Sequence, residues 1–236
     1  MSKTKKTVLT VLMALLLVVT SVAGTIAYLT AESAKVENTF TVGKVEIVLD
    51  ENKVKLNDAE GDKYINDGTD RVTANTYTKL LPGDVVAKDP TITVKQGSED
   101  AWVFIEVTMD YEDGVILAKA AGATEVTPAA AIAAANMLSA GTFNSADWTI
   151  RGYKIDDNTK KITFVASYDK VRKAEEKAVL FTKLQIPSNL NNEQMQKLDG
   201  MKLDFFARAI QASGLADAKA AYDALYTSDL GFTSVQ

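Results

Sequence analysis

The sequence predicts a mainly β protein, an antiparallel sandwich of short strands with a few short helices. Two observations carry this: apolar residues recur at every second position in one segment after another, and helical spacing is confined to a few brief stretches. A chain of 236 residues with 47% apolar side chains is long enough to bury one sizeable core, as one domain or one domain with insertions.

The first element is a leader. Lys3, Lys5 and Lys6 precede an apolar run from Val8 to Val19 and then a small, weakly polar stretch from Thr20 to Thr25, the layout of a secretory signal peptide. Thr25 and Ala27 are small residues at the two positions that a signal peptidase inspects. The expected leader is therefore residues 1–27, with cleavage between Ala27 and Tyr28. A retained anchor is the alternative, since Val8 to Leu29 almost spans a bilayer.

Residues 28–49 follow as an N-terminal strand. Phe40 and Val42 alternate with polar neighbours, and beyond Gly43 the apolar set continues as Val45, Ile47 and Leu49 with its parity shifted by one. A glycine at a parity change is what a bulge needs, so the segment is expected to be bulged or in two parts. Residues 50–236 form the expected single sandwich domain. Asp50 to Asp70 is polar and acidic and predicts a long loop. Its carboxylates at Asp58, Glu60, Asp62, Asp67 and Asp70 are hard ligands of the kind calcium takes, but their spacing is not that of an EF-hand, and a solvated loop is the expectation.

Pro82-Gly83-Asp84 predicts a turn, with Pro fixing one dihedral and Gly supplying positive φ. Strands are expected at Ile92 and Val94 and along Trp102 to Met109. In the second, Val103, Ile105, Val107 and Met109 share the core face, and Trp102 and Phe104 lie on the other. Those two rings are either an exposed docking surface or, as expected, covered by a helix or loop. Alanine dominates between Lys119 and Trp148. Thr127 is a good N-cap, Pro128 suits the first helical position and Gly141 the stop, so an Ala-rich helical insertion is expected near residues 127–140.

Alternation returns at Ile162, Phe164, Ala166 and Tyr168, and Lys170 to Lys177 is left open between a hairpin tip and a short helix. Leu180, Thr182, Leu184 and Ile186 alternate up to Pro187, and Asn191 to Asp199 predicts a short helix stopped by Gly200. Leu203, Phe205, Ala207 and Ala209 alternate again. Leu215, Ala218, Tyr222 and Leu225 recur at helical spacing from Asp217, an amphipathic helix for packing on the sheet.

Absences narrow the chemistry. The chain has no Cys and no His, so it has no disulfide framework, Cys-based zinc site or thiol nucleophile, no Ser-His-Asp triad and no HExxH site. Without the leader's three lysines, 23 basic residues face 31 acidic ones, a net charge of −8. Such a surface repels phosphate backbones, so no nucleic-acid partner is expected.

Several of these segments together resemble a known family. Gly24-Thr25-Ile26-Ala27-Tyr28 after the leader and Asn38-Thr39-Phe40-Thr41-Val42-Gly43 are similar to secreted Gram-positive proteins processed by the SipW-type signal peptidase. Further on come Leu81-Pro82-Gly83-Asp84, Lys88-Asp89-Pro90 and Trp102-Val103-Phe104-Ile105. Leu180-Phe181 before Ile186-Pro187, and Ala207-Arg208-Ala209-Ile210-Gln211-Ala212 before Ala221-Tyr222-Asp223-Ala224-Leu225, complete the set. The ordered set resembles the TasA, CalY and camelysin family over nearly the whole mature chain; the Ala-rich insertion is its least familiar part.

The resemblance implies a jelly-roll-like sandwich at the cell surface or in the extracellular matrix. It implies homo-oligomeric biofilm fibres in which the N-terminal strand of one subunit completes the sheet of the next. Val36, Phe40, Val42, Val45, Ile47 and Leu49 are the candidate donor residues. The alternative is that this strand pairs within its own subunit, and Gly43 divides the roles if Val36 to Val42 exchanges while Val45 to Leu49 stays home. The implied partners are further copies, other matrix proteins and a SipW-type peptidase, with the membrane touched only through the leader.

An accessory protein that anchors or seeds another subunit's fibre is a second reading, with Trp102, Phe104 and the acidic loop as contact regions. Camelysin-like members are often labelled metallopeptidases, but an all-carboxylate site favours calcium or magnesium over zinc. Nothing in the sequence fixes two carboxylates in a cleft for glycosidase chemistry either. The expectation is a non-enzymatic protein with no catalytic, metal or cofactor-binding residue.

Overall fold

The computed structural model describes residues 43–124, 138–139, 141–226 and 230–234. They build a mainly antiparallel β-sandwich of a six-stranded and a five-stranded sheet. The first sheet has β1 (Ile47–Leu56), β2 (Tyr64–Val72), β3 (Val85–Ala87), β4 (Thr91–Val94), β8 (Lys177–Val179) and β9 (Lys183–Gln185), in the order β8-β4-β1-β2-β3-β9. The second has β5 (Ala101–Asp110), β6 (Trp148–Asp156), β7 (Lys161–Tyr168), β10 (Asp204–Gln211) and β11 (Thr233–Ser234), in the order β10-β5-β7-β6-β11. Three helices accompany them: α1 (Tyr111–Ala120), α2 (Asn192–Lys197) and α3 (Ala218–Leu225).

Alternation decides which side chains meet between the sheets. Val103 and Ile105 of β5, Ile92 and Val94 of β4, Ala166 and Tyr168 of β7, and Trp148 of β6 are all buried in one cluster. Trp148 anchors it, because its ring packs edge-on to Tyr168 and its indole N–H donates to the Val179 carbonyl at 2.8 Å. A buried indole usually finds an acceptor, and this one ties the two sheets together. A second cluster runs from Tyr64, Val86 and Leu184 to Met109, Ile162 and Leu117 of α1. Fully burying each large apolar side chain is worth roughly 1.5–3 kcal/mol.

The outer face of β5 is covered, as expected. Phe104 is wholly buried, and Trp102 is nearly so. They pack with Ala218, Ala221, Tyr222 and Tyr226 at α3, whose N-cap Asp217 accepts from the Ala220 backbone N–H at 2.8 Å. The exposed-docking alternative for these two rings is thereby removed. The turn at Leu81 to Asp84 also forms: Gly83 has φ +90° and the Asp84 N–H donates to the Leu81 carbonyl at 3.0 Å. Asn191 caps α2 through a reciprocal capping box with Gln194, and Gly200 follows at φ +79°.

The structure corrects the acidic loop. Asp50 to Asp70 is a hairpin, because β1 continues through its polar residues to Leu56 and β2 returns from Tyr64. These strands tolerate polar residues because their charges are paired, Asp67 with Lys55 and Lys53 and Arg71 with Asp50. β1 thus passes position 49, and its register shift in the described residues lies between Asn52 and Val54. Lys170 to Lys177 is neither a hairpin tip nor a helix: it crosses from β7 in one sheet to β8 in the other, with an isolated bridge from Arg172 to Ala101. Most of the Ala-rich insertion lies outside the described residues; within it Leu138 and Ser139 are described and are buried.

Gly152 marks the tightest approach of α3 to the sheet. A Cβ built there would lie 2.1 Å from the Tyr222 hydroxyl oxygen and 3.0 Å from the Thr233 carbonyl. Gly152→Ala is expected to lower stability by about 1–3 kcal/mol through overpacking. A urea titration followed by tyrosine fluorescence measures it, and an unchanged midpoint would count against this packing.

Candidate functional site

A sheet ends in strands with unused hydrogen-bonding edges, and those edges are where another strand can add. Among the described residues, three of the four edge strands are minimal. β8 and β9 have three residues each and β11 has two, whereas β10 has eight. β8 is further protected by Lys177, and the Val179 carbonyl is taken by Trp148. β10 pairs with β5 along its whole length, Asp204↔Thr108 to Gln211↔Ala101, and among the described residues no strand pairs with its other side.

The second open stretch is the first half of β1. Ile47 to Asp50 pairs with β4, and β2 joins β1 only from Glu51 onward. Among the described residues the side of Ile47 to Asp50 away from β4 has no strand. β1 and β10 approach within 8 Å, Cα to Cα. At one end, the Glu99 N–H donates to the Lys44 carbonyl and the Ala212 N–H to the Asp100 carbonyl, so the start of β1 and the end of β10 flank one segment. At the other end Lys88 links Glu51 of β1 to Phe205 of β10. The two edges therefore run antiparallel and frame a short groove, with Ile47, Leu49, Phe205, Ala207 and Ala209 half-buried in it.

Two charged groups shape the closed end. Lys88 donates to Glu51 Oε2 at 2.5 Å, with side chains only 9% and 8% exposed, and its ammonium lies 4.8 Å from the Phe205 ring centroid and 5.9 Å from that of Tyr77. Burial, and after it the negative charges of Glu51 and Asp89, pushes the Tyr77 hydroxyl pKa well up, so it stays a donor, here to the Ala87 carbonyl at 2.9 Å. Next to this pair, the Arg71 guanidinium donates to Asp50 Oδ1 at 2.9 Å, to the Asp50 carbonyl at 2.9 Å and to Asp89 Oδ2 at 2.8 Å. Asp89 also accepts from the Asn52 backbone and side-chain amides, each at 2.7 Å.

On the outer face of β10, Arg208 donates to Glu106 Oε1 at 2.6 Å, and the Tyr226 hydroxyl donates to the same oxygen at 3.0 Å. The guanidinium lies over both Tyr226 and Phe206, and Phe206 is 55% exposed.

The sequence-predicted residues distribute as follows. Ala27, Tyr28, Val36, Phe40 and Val42 lie outside the described residues. Val45 is half-buried just before β1, and Ile47 and Leu49 sit on β1 opposite Val94 and Ile92. Gly43 lies against Glu99, whose Cγ would be 2.8 Å from an added Cβ. The acidic residues do not converge: Asp62 pairs with Lys183 and Asp67 with two lysines. Among the described residues no three carboxylates gather as a metal site. Sequence reasoning passed over Glu51 and Arg71 and met Lys88 only within the Lys88-Asp89-Pro90 motif; the signal for them was the density of charge in segments with strand-like flanks. The chain matches no family model, no curated protein and no solved structure in comparisons with known proteins.

Arg71 holds two carboxylates that would otherwise face each other. Arg71→Met is expected to destabilise the fold by about 2 kcal/mol, after allowance for partial solvent exposure. Arg71→Lys is expected to recover less than half of that, because a point ammonium cannot make the three-acceptor contact. Chemical denaturation of the two variants checks this, and equal stability of Lys and Arg would show that charge alone matters.

Proposed function

We propose that this protein is a secreted extracellular-matrix fibre subunit, assembled when the N-terminal strand of one copy adds to the open β10 edge of the next. The carrying observation is the length of that edge. Eight residues of β10, which among the described residues pair with no strand on the side away from β5, lie beside a groove lined by Ala207 and Ala209 and form a template for an alternating strand. The segment from Tyr28 to Val42, with Phe40 and Val42 on one face, is the matching donor in sequence, and the leader pattern supports export. The resemblance to the TasA, CalY and camelysin family and a jelly-roll kind of sandwich support the same reading.

The reading is non-enzymatic. In the described site the carboxylates of Glu51, Asp50, Asp89 and Glu106 each serve a cation, and this engages the groups that general acid or base chemistry would need. A groove of half-buried apolar side chains with backbone on both rims is suited to holding a peptide strand.

The chain beginning at Tyr28 is expected to form fibres visible by negative-stain electron microscopy, and the variant lacking Ala31 to Val42 to remain monomeric by size-exclusion chromatography. Equal assembly of the shortened chain would sink the strand-exchange reading. A net charge of −8 on that chain makes copies repel, so raising the salt from 20 to 200 mM, which shortens the Debye length from about 20 Å to about 7 Å, is expected to speed assembly. Light-scattering time courses at the two salt concentrations measure this; identical rates would remove electrostatic repulsion from the account.

A further inference from the structure

We propose that Lys88 is an anchor for one polar side chain of the accepted strand, and that this side chain is Asn38 of a second copy. The proposal rests on the strand-exchange reading above. Lys88 is more than nine-tenths buried, and its ammonium carries three N–H donors. One goes to Glu51 Oε2. The rings of Phe205 and Tyr77 attract the cation through their faces, and among the described residues no second oxygen or nitrogen accepts from it. Lys88 stands at the closed end of the groove framed by β1 and β10, so an acceptor oxygen arriving there gains a charge-assisted hydrogen bond shielded from water.

The donor segment carries one such acceptor on its apolar face. Alternation places Val36, Asn38, Phe40 and Val42 on the same side of an extended strand, and Asn38 is the one polar member of that set. Without a partner its amide would be an unsatisfied group in an apolar groove. With its oxygen on Lys88, the amide fixes the register. Residues two apart on neighbouring strands keep the same spacing, so a strand running parallel to β10 with Asn38 beside Phe205 sets Phe40 over Ala207 and Val42 over Ala209. The two small β10 residues then face the two apolar donor residues. A shift of one residue would turn the apolar face outward, and a shift of two would leave Asn38 among apolar neighbours. Lys88 thus selects one register, and with it a second copy of this chain over a generic hydrophobic strand.

The test uses the chain beginning at Tyr28 and reads the lowest concentration at which fibres form, with circular dichroism and thermal melting of the monomer as the check on folding. Asn38→Leu, and separately the pair Lys88→Met with Glu51→Leu, are each expected to raise that concentration by roughly tenfold or more. The pair is changed together so that no charge is left buried alone. Combining all three substitutions is expected to cost no more than either change alone, because the two sites act through one bond. Asn38→Asp, which keeps an acceptor oxygen for Lys88, is expected to assemble nearer to wild type than Asn38→Leu does.

If Asn38→Leu assembles like wild type, or if the combined variant shows the product of the two losses, the anchor is wrong. Should the charge-pair variant fail to fold, the contrast between Asn38→Asp and Asn38→Leu decides. Loss of assembly on deleting Ala31 to Val42, together with no effect of Asn38→Leu, would reject the anchor alone. Undiminished assembly after that deletion would reject strand exchange and the anchor with it.

Discussion

The place where β1 changes partners constrains the rest of the structure. Its first half belongs to β4 and its second to β2, so at Glu51 and Asn52 one strand must leave a ladder while another joins. Backbone amides and carbonyls at such a junction have no regular strand partner, and buried groups of that kind must be satisfied another way. Side chains do it here. Asp89 accepts from the Asn52 amide, Arg71 donates to the Asp50 carbonyl, and Asn75 both accepts from the Val54 N–H and donates to the Asn52 carbonyl. The charges needed for this are then paired among themselves. Arg71 is shared between Asp50 and Asp89, and Lys88 pairs with Glu51, which leaves the group with one net negative charge. Placing the Lys88–Glu51 pair in the interior costs desolvation, so removing one partner alone would leave an uncompensated buried charge.

That junction also explains the open edge. β2 begins to pair with β1 only at Glu51, so among the described residues Ile47 to Asp50 have no strand on that side, where β10 approaches them. The sandwich is therefore closed by strands on most of its perimeter and by a groove on one part of it. The short lengths of β8, β9 and β11 show the usual protection of edges, through brevity and a lysine. β10 has neither device over its central residues Phe206 to Ile210 apart from Arg208, which turns to the outer face and binds Glu106.

Where burial was one-sided, the sequence was easy to read. β10 alternates because one face lies against the inter-sheet core, β5 and β7 remain legible as dense β-branched and aromatic runs although α3 buries part of their other face, and α2 and α3 carry explicit caps in Asn191 and Asp217. Three elements were obscured for identifiable reasons. The β6 alternation breaks at a register shift between Ile150 and Gly152, so its apolar residues lose phase. α1 contains Gly114, a poor helix former, and the glycine is there because a Cβ would sit 3.2 Å from Ile162. The hairpin of β1 and β2 is polar because it satisfies its charges internally, and hydropathy cannot distinguish that from a solvated loop. The groove was illegible for a different reason: Lys88 and Glu51 are 37 positions apart, and nothing local marks them as partners.

Separation of the two groove edges sets a condition on any strand that enters. Neighbouring strands lie about 4.8 Å apart, so one strand seated between β1 and β10 and paired with both needs about 9.6 Å. Some Cα pairs across the two edges lie within 8 Å, so there the edges must part by at least about 1.6 Å, or the newcomer pairs with β10 alone. Parting loosens Ile47, Leu49 and Ala207 from the core cluster they pack against, and the closed end resists it through the Lys88 bridge from Glu51 to Phe205. A strand with only apolar side chains gains nothing at that bridge. One whose amide oxygen reaches Lys88 adds a bond there while leaving Glu51 in place, so opening is favoured by the same residue that resists it. Under the strand-exchange reading proposed above, the closeness of the two edges in the isolated subunit limits indiscriminate pairing, and the matching strand supplies the energy for its own entry.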